Sequence, residues 1–181
     1  RMSVKAAKNA ALFCDLYFKR VPLTELSGDM SVMFASMVTS QLKFLHQRKR
    51  GNDLIRVFNP EKDRDGWDCQ HTIAELANDD WQFLVDTASM AMQELNLGVH
   101  LIVHPVLNVE RDAGGKLKAL HMKAKKNSEA ESFIHIHLEK QTAPAVLASI
   151  KSRLKSRMAK VRTAVADWQL MHEGLEVAIT E

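Results

Sequence analysis

One stretch limits the folds open to this chain more than any other. In TIAELANDDWQFLVDTASMAMQEL, Thr72 to Leu95, the apolar period changes midway. Thr72, Ala74 and Leu76 alternate with Ile73, Glu75 and Ala77, which is the period of a strand. From about Trp81 to Leu97 the apolar residues recur every three or four positions, which is the period of a helix. A strand that hands over to a helix across the polar knot Asn78-Asp79-Asp80 excludes all-helical and all-strand folds and points to an α+β sandwich.

The flanking segments extend this reading. Val4 to about Arg20 carries an apolar stripe of Ala7, Ala11, Leu12, Phe13, Leu16 and Phe18, and Val21-Pro22 stops it. Asp29 to about Arg48 predicts a second helix, with Asp29 as N-cap and Met30, Met33, Phe34, Met37, Val38, Leu42 and Leu45 inward. The basic RKR at its end complements the helix dipole. DLIRVFNP predicts a strand and EKDRDGWD a charged surface loop. GVHLIVHPVLNVERD predicts a long strand that Pro105 bends or bulges. KLKALHMK and ESFIHIHLEK are further strands, the second with Ile134, Ile136 and Leu138 on one side. Leu147, Ile150, Leu154, Met158, Val161, Val165 and Trp168 mark a long final helix from about Ala143 to Met171.

The expected architecture is α+β and ferredoxin-like: an antiparallel sheet with helices on one face, an N-terminal helical hairpin and a long C-terminal helix. The expected boundaries are 1–52 for the hairpin, 53–171 for the α+β unit, and 172–181 for the start of a linker, where Gly174 interrupts the helical pattern. The RM start and the apolar tail read as the cut ends of a longer polypeptide.

Two cysteines, Cys14 and Cys69, form no CxxC and no framework of bridges, which fits a reducing, cytoplasmic setting. No apolar run approaches the ~20 residues that span a bilayer.

Four constellations carry candidate chemistry. At the knot, an Asp is expected to cap the following helix. The same helix start offers N–H groups to a carboxylate ligand. Two neighbouring acids disfavour a simple anion, but an amino acid brings an ammonium group as well. Adjacent side chains diverge too far for paired acid–base work. Next, His100 and His104 lie on one strand and His135 and His137 on another. Neighbouring strands would bring three imidazoles toward a metal. The simpler reading is a polar, half-exposed sheet face, since His100 and His104 stand ~13 Å apart on a flat strand. Then Lys151 to Arg162 holds six basic residues and no acid, while the rest of the chain is net acidic. That helix face makes a nucleic-acid-binding module the alternative function. Its basic residues fill the positions between Leu154, Met158 and Val161, as on a solvated amphipathic face. Finally, there is no GxGxxG, GxxxxGK[ST] or GxSxG, and neither cysteine has local support as a nucleophile. No catalytic, cofactor-binding or metal-ligating residue is predicted.

The strings NDD, FLVDT, HLIVHPV and ESFIHI, in that order and with VFNP upstream, resemble the N-terminal ACT-like region of the large bacterial NAD-specific glutamate dehydrogenases. The likeness runs from roughly Asp53 to Trp168, more loosely over the first two helices. It implies a cytoplasmic homo-oligomeric parent that oxidatively deaminates L-glutamate to 2-oxoglutarate. Its NAD site and catalytic core lie C-terminal to this region, so no cofactor belongs to the fragment itself. It further implies a non-catalytic regulatory or assembly module, self-associating through a sheet edge or helices and open to an amino-acid effector. Asn78, Asp79, Asp80, Trp81 and Gln82 are then the effector-binding candidates. The general ACT turn reads Asp-x-Pro-Gly-Leu-Leu, and here Asp80 to Val85 has Gln82 for the proline and Phe83 for the glycine. That exchange keeps the turn and hinders an effector's approach to the backbone.

Overall fold

The computed structural model describes residues 3–22 and 31–180, excluding the side chains of Ser31 and 168–180. The expected cap Asp29, and Met30 and Trp168 of the apolar stripes, lie outside what is described.

Eleven elements occur among the described residues: α1 (Val4–Phe18), α2 (Ser31–Leu45), β1 (Leu54–Phe58), α3 (Lys62–Asp65), β2 (Thr72–Asp79), α4 (Leu84–Gln93), β3 (Val99–Val103), β4 (Val106–Arg111), β5 (Leu117–His121), β6 (Glu129–Leu138) and α5 (Pro144–Thr180). All strand pairs are antiparallel, and the sheet runs β1-β2-β6-β4-β5, with β3 also on β6. The long strand is broken at His104-Pro105 as the proline dictates. Its halves, β3 and β4, lie along successive parts of β6.

The central strands β2 and β6 are buried on both faces, and the two faces have different partners. Ala74, Leu76, Ile134, Ile136 and Leu138 meet Leu84, Ala88, Ala91 and Met92 of α4 and Ile150, Leu154 and Met158 of α5. The spacing of those helical residues is that of a single apolar stripe, and the layer is apolar at its centre, with Thr72, Asn78 and Ser132 as buried polar residues toward its ends. On the other face Ile73, Ala77, Phe133 and Leu107 meet Phe13 and Tyr17 of α1 and Met37, Val38 and Leu45 of α2. Phe13 sets its ring edge-on to Phe133 at 5.6 Å. Helices of the α+β unit thus occupy one face as expected, and the N-terminal hairpin covers the other. In a βαββαβ unit the strand beside the first strand follows the second helix. Here that place is filled by β1, which comes before β2.

Several local expectations change. Trp67, expected in a charged surface loop, is 2% exposed. The one-turn helix α3 ends on Gly66 at φ 77°, a reversal that suits glycine and turns Trp67 inward against Phe58. Helix α2 stops at Leu45, so Arg48 does not sit on its last turn. Helix α5 passes Gly174 without a break and reaches Thr180, through the segment expected to begin a linker. One glycine inside a helix costs only about 1 kcal/mol.

Candidate functional site

The strand register lines up buried charged groups on the hairpin face. Arg56 of β1 lies opposite Glu75 of β2, and Glu75 opposite His135 of β6. All three point under α1 and α2. Arg56 donates from Nε to Glu75 at 2.5 Å while its guanidinium sits between the rings of Phe44 and Phe58, 4.7 and 4.5 Å from their centroids. His135 Nδ1 lies 2.9 Å from the other Glu75 oxygen. Burial works against the Glu75 carboxylate, but the hydrogen bond and charge of His135, then those of Arg56, hold its pKa below the usual range.

This row continues as a chain of imidazoles. His135 Nε2 lies 2.9 Å from His137 Nε2, so one proton is shared between the two rings. His71 packs at 5.2 Å from His137 and 4.6 Å from His100. Desolvation foremost, then the neighbouring His135, His71 and His100, push His137 down to about 3. The sign of the pH effect follows. His137 binds a proton in the unfolded chain below its ordinary pKa, but not in the folded chain until far lower. Stability is therefore complete above ~6.5 and falls as pH drops toward 3. For this residue alone the loss between about pH 7.5 and 5.5 amounts to about 1.4 kcal/mol. Urea unfolding of His137→Gln at the two pH values should show a loss smaller by that amount than in the parent chain. An unchanged difference would contradict the depressed pKa.

A second ionic group lies farther along the same face. Asp79 and Glu131 stand directly opposite on β2 and β6, a like-charge pair that is unfavourable alone. Arg48 resolves it, with Nη2 2.7 Å from Asp79 and 2.8 Å from Glu131. Arg111 of β4 then grips Glu131 with both fork nitrogens, at 2.7 and 2.8 Å. The segment after α2 is tied to the same group, since Gly51 N–H donates to Asp79 at 2.8 Å.

The candidate effector residues are split between these roles. Asp79 belongs to the Arg48 group. Asn78 is buried and donates to Asp53 at 2.6 Å. The expected capping by an aspartate does not occur: β2 runs on through Asp79, and α4 begins only at Leu84. Its N-cap is Phe83, at φ 66° and without a side-chain cap bond. A bulky residue in the left-handed region is strained. Phe83 is also 62% exposed, so its ring points away from the core. Asp80 is exposed, and its backbone N–H donates to Ala130 at 3.3 Å. Gln82 is exposed, and Trp81 lies under the Arg162 guanidinium at 5.9 Å. Asn78, Trp81 and Arg162 border a cavity of about 10 Å³, room for about one water molecule.

The histidines are redistributed too. β3 and β6 are indeed neighbours, and His100, His135 and His137 share one side of the sheet with His71. His104 is not with them, because the chain breaks there and its Nε2 turns to Ser132 Oγ at 2.7 Å. The expected half-exposed face is wrong for His135, which is fully buried. Among the described residues no group of His, Cys, Asp and Glu has metal-holding geometry. Of the six basic residues on α5, Arg153 and Arg157 pair with Glu94, and Arg162 pairs with Asp53. Among the described residues no helix is long and apolar enough to cross a membrane. The Arg48 and Glu75 groups were missed from sequence. Their only early trace was a charge at an inward position of an alternating strand, Glu75 within TIAELA.

Comparison with known proteins places these features in a family context. A family model described as glutamate dehydrogenase, ACT1 domain, matches residues 13–154, from within α1 to within α5. The chain is 27% identical over 169 residues to an NAD-specific glutamate dehydrogenase of Pseudomonas aeruginosa, covering 92% of this chain and 10% of that enzyme. It is 30% identical over 183 residues to an NAD-specific glutamate dehydrogenase of Halomonas elongata, covering 100% of this chain and 11% of that enzyme. The chain thus spans about a tenth of the length of these relatives. No solved structure matches it.

Proposed function

We propose, from the premise that this chain belongs to the glutamate dehydrogenase ACT1-domain family, that it is a non-catalytic regulatory and assembly module of an NAD-dependent glutamate dehydrogenase. The parent oxidises L-glutamate to 2-oxoglutarate with NAD bound elsewhere in a much longer cytoplasmic polypeptide. The observation that carries this reading is the family match itself. It runs unbroken across hairpin and sheet, so the unit includes the α1–α2 layer and the ion pairs beneath it.

Assembly follows from what the fold leaves uncovered. The central strands β2 and β6 are covered on both faces, so contacts with other copies or other parts of the parent fall on the outermost strands β1 and β5, on the β4–β5 end of the sheet or on helix exteriors. Phe83 and Met90 on the outer side of α4 supply an apolar contact there. An amino-acid effector at the 78–82 turn would engage Asp80, Trp81 and Gln82, because Asn78 and Asp79 are held by Asp53 and Arg48.

The test compares the full-length parent with a version lacking residues 13–154. Deletion should leave glutamate-dependent NAD reduction per active site largely intact and should change the oligomer or the response to amino acids. The isolated chain should show no turnover. An unaltered oligomer and response, or turnover by the isolated chain, would defeat the proposal.

A further inference from the structure

A groove of about 640 Å³ lies where α1, α2 and β5 meet. That volume falls within the ~300–1,000 Å³ range of ligand pockets. Ala6 and Ala10 of α1, Leu42 of α2 and Leu117 of β5 give it an apolar lining. Its walls are tied to one another, since Leu120 N–H donates to the Asn9 side chain at 3.1 Å and Leu117 N–H donates to the His46 carbonyl at 2.8 Å. An occupant therefore meets a shape that already exists.

The charge around this lining is one-sided. Lys5, Lys43, Lys116, Lys118 and His46 border the groove, and no aspartate or glutamate does. Chain composition does not account for that, with 22 acidic residues against 25 lysines and arginines. The cavity beside Arg48 is the contrast, because its cations share the wall with Asp112, Glu129 and Glu131. Of the four lysines, only Lys118 has an ion pair among the described residues, with Asp112 at 3.7 Å. Like charges gathered on a low-dielectric wall repel one another and attract an anion. All four lysines are exposed, so an anionic head can lie at a wet rim without the cost of full burial. A wholly polar anion would leave the apolar lining unused, and a neutral apolar body would leave the charge unanswered.

We propose that this groove binds a small amphipathic anion, of the class of aryl and alkyl carboxylates, with its head among the lysines and its body on Ala6, Ala10, Leu42 and Leu117. The site shares no residue with the 78–82 turn, and it does not depend on the role proposed above. Because α1, α2 and β5 all contribute walls, an occupant braces the hairpin layer against the edge of the sheet.

The test uses the ¹⁵N-labelled 181-residue chain and three probes. 4-Phenylbutyrate has the apolar body and the charge, 4-phenylbutan-1-ol lacks the charge, and acetate lacks the body. Millimolar 4-phenylbutyrate should shift the backbone amide resonances of Lys43, His46, Lys116 and Lys118 saturably. The alcohol and acetate should bind at least about tenfold more weakly, which corresponds to ~1.4 kcal/mol. The double variant Lys43→Glu, Lys116→Glu should lose a similar factor. Lys151→Glu with Lys155→Glu makes the same change of net charge on exposed positions of α5, away from the groove, and should bind within about twofold of the parent chain. Thr39→Trp, at an exposed position of the groove wall, should abolish the shifts while leaving the lysines in place. Amides unmoved by 4-phenylbutyrate, equal binding of the alcohol or acetate, or an equal loss in the α5 variant would overturn the assignment.

Discussion

Replacing Glu131 by leucine should cost about 3–5 kcal/mol, because it leaves two buried guanidinium groups without their shared carboxylate. The Arg48 side chain is 1% exposed, and Arg111 is only slightly more so. Arg111 would keep two carbonyl partners, those of Leu45 and Gly115, and Arg48 would keep Asp79. Arg48 would stay balanced by Asp79, so the uncompensated charge is that of Arg111, whose remaining partners are neutral carbonyls. A cavity of about 520 Å³ bordered by Arg48, Arg111 and Glu131 lets water approach, which holds the loss toward the lower end of that range. Equilibrium urea unfolding measures it directly. Glu129→Ala serves as the comparison, because the Arg50–Glu129 pair is exposed on both sides and should contribute no more than ~1 kcal/mol. A loss below that level for Glu131→Leu would mean that the buried charges find other partners.

The second large effect is expected at Gly115. Its φ is +88°, and a Cβ built there would lie 2.9 Å from the Arg48 carbonyl carbon and closer still to its oxygen. Both obstacles are backbone, and neither can swing aside. The turn is also fixed from the other side, since Gly115 N–H donates to Asp112 at 2.8 Å and its carbonyl accepts from Arg48 N–H at 3.0 Å. Gly115→Ala should therefore destabilise by about 2–4 kcal/mol, the left-handed strain plus the cost of prising β5 from the segment after α2. Gly51 gives the control. Its φ is +79°, but nothing lies within 4 Å of an added Cβ. Gly51→Ala should then show the conformational cost alone, roughly 1–2 kcal/mol. Equal losses at both positions in thermal or urea unfolding would rule out the close approach at Gly115.

Periodicity carried most of the architecture. The alternation in TIAELA and ESFIHIHL placed β2 and β6, and the three-and-four spacing of Ile150, Leu154 and Met158 placed α5. Proline fixed the break between β3 and β4. Tyr17 escaped the first helix's expected stripe, although it packs beside Phe13, because its hydroxyl made an outward position as reasonable. The knot at 78–80 misled for a clearer reason. Asn, Asp and Asp before an apolar run fit a helix cap, and only the positions of Arg48 and Asp53 draw two of them into the sheet instead. Those partners lie about 25 to 31 residues away in sequence, and no local pattern encodes such a distance. Glu75 and His135 were concealed in the same way. Each is costly to bury alone, and their acceptability depends on strand register. The candidate effector residues were legible as a group near one turn, but not in their separate attachments.

The placement of the α1–α2 layer bears on the order in which the chain can acquire its shape during synthesis. Phe13 rests against Phe133, and the Asn9 side chain accepts from the backbone of Leu120. The surface that receives the first helices is therefore finished only when the last strand has left the ribosome. Until then their greasy sides have no permanent seat, and contacts this remote along the chain form slowly. A nascent chain stalled before β6 should be the stage most in need of a chaperone.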